Sequence, residues 1–339
     1  IKKTKGSEWL LLPIVFFVLS LGGAVFGMGE EAIPFAMVLI PIVIGMGYDG
    51  ITGILITYVS TQIGFGTSWM NPFSVAIAQG VAGIPVLSAA GFRMAMWTFF
   101  TAFGIFYTIR YANKVKANPQ SSISYEADRY YREEFKLEDQ QEVDFKFGHK
   151  LVLLVVLLGM AWIIYGVVVF GYYLPEIATQ FVIMGVVAVI IGVVFKLNDM
   201  TVNDIATSFR KGAEDLIGAA IVVGMAKGIV LVLGGTEAGT PSVLNTVLNW
   251  VANGLGGLPA AASAWVMYIF QSVFNFFVVS GSGQAALTMP IMAPLSDLVG
   301  VPRQVAVLAF QLGDGFTNLI VPTSGILMAI LGIAKLEWG

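Results

Sequence analysis

Residues 21–42 read "LGGAVFGMGEEAIPFAMVLIPI" and set two adjacent acids, Glu30 and Glu31, between apolar arms. Each arm is long enough to reach well into a bilayer. An acid at that depth is expensive unless paired or hydrated, so it marks a functional position by default. Gly22, Gly23, Gly27 and Gly29 crowd the turn and favour a compact tip that re-enters the membrane. The plainer alternative makes residues 9–28 and 32–47 two full spans, with Glu30-Glu31 an exposed outer turn of no special role.

The composition around this stretch fits a membrane chain. It is 57% hydrophobic and 12% charged, with a mean hydropathy of +0.83. Solid apolar runs at 91–109, 150–171, 176–195 and 216–234 predict an all-α polytopic membrane protein rather than a β-barrel, whose strands would alternate. With no cysteine there is neither a disulfide framework nor a thiolate metal site. The single histidine, His149, sits among charges and reads as surface, so no metal site or cofactor is expected. No phosphate-binding loop or nucleic-acid signature is present. The opening "IKKTKGSEWL" and closing "AKLEWG" look like loops, which suggests a fragment lacking terminal helices.

Lys and Arg placement orients the spans, because basic loops stay in the cytoplasm. Lys2, Lys3 and Lys5 hold the start inside, and Arg110, Lys114 and Lys116 hold the end of the 91–111 helix inside. Residues 112–149 follow as a polar cytoplasmic loop. Helices 150–171, 176–195 and 216–234 then run out, in and out, turning at "GYYLPE" and ending at "GGTEAGTPS".

Two segments, 50–81 and 303–334, are too long for one span. A continuous helix of that length would be about 48 Å, against a hydrocarbon core of about 30 Å. Both carry breakers, "GFGTSWMNPF" (64–73) and "GDGFTNLIVPTSG" (313–325). Broken helices at membrane depth are tolerated where the freed backbone lines a polar cavity. The breaks also match, with Thr67, Pro72 and Ser74 opposite Thr317, Pro322 and Ser324. Each follows a pair of apolar arms, 9–48 around "GMGEE" and 258–300 around "SGSGQ". Charge-derived topology gives the two copies opposite orientations, which predicts an inverted repeat. Its first half is 1–111 and its second half 150–339.

"GGAVFGMGEEAIPF", "TQIGFGTSWMNPF", "SGSGQAALTMPIMAPLSDLVGV" and "VLAFQLGDGFTN" together resemble the YfcC family of bacterial inner-membrane proteins, nearly end to end. That family is grouped with ArcD-type basic amino acid antiporters and is related to DcuC-type C4-dicarboxylate carriers. The resemblance implies an elevator-type transporter. Scaffold helices would form a homodimer, and two re-entrant hairpins and two broken helices would carry the cargo.

In such an architecture the tips and breaks meet near the midplane. That gathers Glu30, Glu31, Thr67, Ser68, Asn71, Ser280, Ser282, Gln284, Asp314, Asn318, Thr323 and Ser324 as candidate substrate-binding residues. Half-helix N-termini and the Ser280–Gly283 tip suit a carboxylate. Asn71, Asn318 and the hydroxyls suit the amino and carboxyl groups of an amino acid. Glu30, Glu31 and Asp314 attract a cation. One tip glutamate would bind the charged end of arginine, ornithine or lysine, and the other would carry a proton or orient a neighbour. Lys227, midway along its span, reads as an internal counter-cation. Asp49 and Arg93 read as structural, and Phe274, Phe276 and Phe277 as hairpin packing.

Two other functions compete. A C4-dicarboxylate carrier would use the tips and Lys227 for the anion and the acids for the coupling ion, H⁺ or Na⁺. A remote alternative is an intramembrane aspartyl protease, from Tyr48-Asp49 and Gly313-Asp314. Its two carboxylates would have to share a proton at close range.

Overall fold

The computed structural model describes residues 8–71, 73–85, 87–138, 146–170, 174–210 and 258–338, with a few isolated positions between 213 and 254. Among them there are helices and connecting turns and no strand. The 216–234 span with Lys227, and most of the "GGTEAGTPS" turn, lie outside the described residues. The chain divides into two compact units. One is Ile1–Arg132 with Gly218–Gly339, and the other is Glu133–Ile217.

In the larger unit α1 (Glu8–Phe26) stops at Gly27, whose φ of 72° ends the helix without a Cβ penalty. The tip Gly27–Glu31 leads into α2 (Ala32–Gly45). The first long segment is interrupted, as its breakers predict. It comprises α3 (Gly50–Ile54), a π-helical turn (Leu55–Val59), α4 (Ser60–Gly66), an irregular stretch, and α5 (Val75–Val81). Asp49 caps α3, accepting from the Thr52 amide at 2.8 Å. Buried hydroxyls in this segment bond back up their own helix: Thr57 to Gly53 O (2.7 Å), Ser60 to Ile56 O (2.7 Å) and Thr61 to Thr57 O (2.6 Å). That satisfaction lets a polar stripe stay inside an apolar body.

The C-terminal segments follow a similar order of elements. α10 (Ala260–Phe277) and α11 (Gly281–Leu298) flank a short tip. α12 (Arg303–Thr317) is followed by a break and α13 (Gly325–Ile333). (Here α6 is Ala90–Ala117, α7 Arg129–Glu138, α8 Phe147–Phe170 and α9 Leu174–Val194.) The first arm of each pair, α1 or α10, packs on its own broken helix, α4 or α12. The second arms exchange partners. α2 packs on α13 through Ile40, Ile44 and Ile330, and α11 on α5 through Met289, Val75 and Ala78. Glycines make the tight contacts. A Cβ on Gly64 would lie 1.9 Å from Ser20 O, and one on Gly313 would lie 2.6 Å from Gln271 Cβ. Small residues let helices approach this closely where lipid supplies no hydrophobic drive between them.

α6 turns Arg93, Trp97, Thr101, Gly104 and Thr108 inward. It leaves Phe92, Phe99, Phe103 and Phe106 exposed. An aromatic outer face of that extent needs a non-aqueous neighbour. By length and apolar content α10 can cross a membrane, and α2 and parts of α1, α8 and α9 are shorter apolar helices.

The polar stretch 112–149 departs from a plain solvated loop. α6 continues to Ala117, and α7 starts at Arg129. Between them Ser122, Ser124 and Asp128 are buried. Asp49 accepts from the Tyr111 and Ser122 hydroxyls, both at 2.6 Å, and the Gly50 amide donates to Asp128 at 3.0 Å. The Tyr131 hydroxyl donates to Ile333 O at 2.5 Å. This strap therefore joins the start of α3 to the end of α13. It buries its polar groups because each finds a partner there. In the smaller unit α8 and α9 run antiparallel. Gly159 faces Met184 and Gly148 faces Phe195, so the start of one helix meets the end of the other.

Candidate functional site

The first break is organised by Ser68. Its hydroxyl donates to Ala24 O (2.7 Å) and accepts from the Asn71 amide (2.9 Å), tying α1 to the unwound backbone. Thr67 bonds back to Ile63 O at 2.6 Å and so closes α4. Asn71 Oδ1 accepts from the Phe73 amide at 2.8 Å, which fixes the side-chain amide, yet its Nδ2 is buried without a partner. Gly27 of the first tip is pressed against that amide, since a Cβ there would lie 2.4 Å from Asn71 Oδ1. Ser74, at the end of the break, also has a buried, unpartnered hydroxyl.

The second break is centred on Asp314 and Asn318, one turn apart on α12. Asp314 is fully buried. Its Oδ1 receives a long bond from Asn318 Nδ2 (3.4 Å), and its Oδ2 has no partner. Asn318 Oδ1 accepts from Asn275 Nδ2 at 2.7 Å, and its Nδ2 also reaches Gln62 Oε1 at 3.4 Å. The Tyr58 hydroxyl donates to Asn318 O at 2.7 Å and lies 3.2 Å from Ser324 Oγ. Ser324 caps α13, accepting from the Leu327 amide at 3.3 Å.

The two breaks meet. A Cβ on Gly315 would lie 2.3 Å from Gly66 Cα, so the broken helices cross there in backbone contact. Gln311 Nε2 donates across the crossing to Phe65 O at 2.6 Å. The second tip closes over the same place. A Cβ on Gly281 would lie 3.0 Å from Asp314 Oδ2, Phe65 Cζ and Ser74 Cβ alike. Asp314 thus faces the N-terminus of α11, whose partial positive charge favours a carboxylate.

The tip acids divide in role. Glu31 is buried and accepts from the Gly29 amide at 2.9 Å, which holds the tip's shape. Glu30 is exposed.

The family comparison enters at this point. The model of the family described as "DcuC: C4-dicarboxylate anaerobic carrier" matches residues 1–339. A protein of Escherichia coli K12 named "Putative basic amino acid antiporter YfcC" is 55% identical over 338 residues, covering 100% of this chain and 66% of its own length. An uncharacterized protein of Haemophilus influenzae is 32% identical over 332 residues, covering 97% of this chain and 63% of its own. The chain belongs to the DcuC family. It spans about two thirds of the length of these relatives. No solved structure matches it.

The geometry removes the protease alternative. Asp49 is spent on Thr52, Tyr111 and Ser122. It stands at the far end of the α3–α4 segment from the crossing, about 25 Å along the helix axis. Asp314 lies beside that crossing, so the two carboxylates share no proton.

Among the expected site residues of this DcuC-family chain, Thr67, Ser68 and Asn71 stand at the first break and Asp314, Asn318 and Ser324 at the second, on either side of the Gly66–Gly315 crossing, and Glu30 stands exposed at the first tip. Ser280 caps α11 through the Gly283 amide, and Ser282 stands beside it, half-buried. Two residues are committed elsewhere. Gln284 donates to Gln271 O and Oε1 at 2.9 and 2.7 Å and joins α10 to α11. Thr323 donates to Phe276 O at 2.8 Å. Tyr58, Gln62, Ser74, Asn275 and Gln311 stand around the same two breaks and were not expected. A signal for two of them is in the sequence, Gln62-Ile-Gly-Phe-Gly66 against Gln311-Leu-Gly-Asp-Gly315. Arg93 is the further surprise. It is 1% exposed, its Nη1 makes one long bond of 3.4 Å to Ser68 O, and its Nη2 has no partner among the described residues.

Proposed function

We propose that the chain forms the core of a multi-pass secondary carrier of the bacterial inner membrane, exchanging basic amino acids of the arginine, ornithine and lysine type by alternating access. The observation that carries this reading is the fully buried Asp314 carboxyl at the helix crossing, with its Oδ2 left unpaired. A buried carboxylate with an open oxygen makes a place for a guanidinium or ammonium group, which would supply the missing donors. Glu31 orients the tip, and Asn318 and Ser324 position the acids' neighbours. Lys227 remains a candidate counter-cation. The packing supports an inverted repeat, since each second arm exchanges onto the other copy's outer half-helix. Elevator motion and a homodimer accompany this proposal.

A second reading, a C4-dicarboxylate carrier, is favoured by the unpartnered donor of Asn71 and by the family's description. The acids would then hold H⁺ or Na⁺.

Counterflow decides between them. Full-length protein is reconstituted in proteoliposomes preloaded with arginine, ornithine, lysine, succinate or buffer. Uptake of labelled arginine, driven by internal basic amino acids and lost in Glu30→Gln and in Asp314→Asn, is the expected result. Uptake of labelled succinate alone would replace the basic amino acid reading with the dicarboxylate one.

A further inference from the structure

The unpaired polar atoms around the crossing are not randomly distributed. Near the second break they are acceptors: Asp314 Oδ2, Asn275 Oδ1 and Gln311 Oε1. At the first break they are donors: Asn71 Nδ2 and Arg93 Nη2, with the Ser74 hydroxyl between the two groups. Buried groups left this way are costly, and a buried unpaired guanidinium most of all.

Arg93 has no local excuse for its position. It lies near the start of α6, where a long side chain could extend to an interface. Instead it points inward with Trp97, one turn on. Trp97 is itself fixed, donating to Ser20 Oγ at 3.0 Å and meeting Trp69 edge-on at 4.8 Å between ring centres. Ser68 touches both residues, its carbonyl accepting from Arg93 Nη1 and its hydroxyl from the Asn71 main-chain N–H. The donors left unpaired on these two neighbours of Ser68, a guanidinium N–H and a side-chain amide N–H₂, are of the kind a planar anion requires.

We propose that Arg93 and Asn71 receive a carboxylate of the substrate at the first helix break. Under the basic amino acid reading, on which the choice of substrate rests, the site is bipolar. The α-carboxylate docks on Arg93 and Asn71, and the cationic end reaches toward Asp314 and Glu30. One carboxylate at the first break would also serve a dicarboxylate, so the role of Arg93 can be tested apart from that reading.

The test uses binding to the purified full-length protein, measured by calorimetry with three probes. Arginine carries both charges, agmatine is arginine without its carboxylate, and succinate has carboxylates alone. Arg93→Gln is expected to weaken arginine about ten- to a hundredfold and to leave agmatine within about twofold. Arg93→Lys, which keeps the charge and loses the fork, should fall between. If arginine affinity is unchanged, or if agmatine falls in the same proportion, Arg93 is a structural residue and the proposal is overturned. If wild type binds succinate and neither cation, the basic amino acid reading fails. The carboxylate role then stands only if Arg93→Gln weakens succinate, and it falls if succinate is unmoved. A wild type that binds none of the three overturns both. Where Arg93→Gln does not yield monodisperse protein, Arg93→Lys with the arginine–agmatine comparison decides.

Discussion

The crossing of the two broken helices can be broken by one methyl group. In Gly315→Ala the new Cβ would stand 2.3 Å from Gly66 Cα and 2.6 Å from Gly66 N. Carbon atoms in ordinary contact stand about 3.5–4.0 Å apart. Both obstacles are backbone, so the helices must part by more than about 1 Å. The Gln311–Phe65 bond, 2.6 Å long, spans the same crossing. Stretched by that much, it leaves the hydrogen-bond range of about 2.7–3.2 Å. Overpacking costs about 1–3 kcal/mol, and a buried group left unbonded costs about 1–3 kcal/mol. The total is about 2–6 kcal/mol. The reverse substitution is a control built into the geometry. A Cβ on Gly66 would meet nothing nearer than Gly315 Cα at 3.4 Å. Gly66→Ala should therefore leave stability near wild type or raise it slightly, since alanine is favoured over glycine in a helix by up to about 1 kcal/mol. Thermal unfolding of the two purified variants, followed by tryptophan fluorescence, gives the comparison, and counterflow gives its effect on transport. Gly315→Ala should melt well below wild type and lose exchange, with Gly66→Ala close to wild type in both. If the two variants melt together, or if Gly315→Ala exchanges normally, the crossing is not where the packing places it.

The remaining predictions use the same assays. Ser68→Ala removes the hydroxyl shared by Ala24 O and the Asn71 amide, so it should cost about 1–3 kcal/mol of stability; an unmoved melting temperature would count against Ser68 as the organiser of the break. Glu30→Gln should leave stability unchanged, because Glu30 is exposed, and under the proposed cationic substrate it should cut exchange about tenfold or more. Glu31→Gln keeps an acceptor for Gly29 and should retain more exchange than Glu30→Gln, and the opposite order would reverse the two roles. Burial pushes the Asp128 carboxyl up to about 6, with bonds from Ser124 and Gly50 and the nearby Arg132 pulling down and Asp49 pushing further up. The folded protein then holds this proton more tightly than the unfolded chain, so the group stabilises the fold as pH falls through about 6 and that gain fades as pH rises. Asp128→Asn keeps an acceptor for Gly50 without titrating; its melting temperature should gain on wild type as pH rises over roughly one unit either side of that carboxyl's titration, and parallel profiles would refute the assignment.

How much of this could be read from sequence depends on what kind of signal each feature leaves. Both helix interruptions were legible, because a 32-residue apolar run with glycine and proline at its centre is about half as long again as a bilayer needs. Both tips were legible for the same reason. The correspondence between the copies was harder to set. Aligning Thr67 with Thr317 follows the residues that mark loss of helix, and an irregular stretch tolerates a slip of one residue. The close contacts instead follow Gln62, Gly64 and Gly66 against Gln311, Gly313 and Gly315, because Gly66 and Gly315 meet backbone to backbone and Gly64 and Gly313 each face a first-arm helix. Such contacts admit no slip, so the glycine spacing is the better ruler. Ser122, Ser124 and Asp128 were hidden by their charged neighbours, which read as solvated. Their burial depends on Asp49 and Gly50, 73 to 78 residues away in sequence. The polarity of the site left no linear trace at all. Asn71, Asp314 and Arg93 each look, residue by residue, like a polar group that could find a partner nearby. Which atoms remain unpaired is the remainder after every other bond has been made in three dimensions. That remainder, donors at one break and acceptors at the other, is what the proposed site for a molecule with two unlike ends rests on.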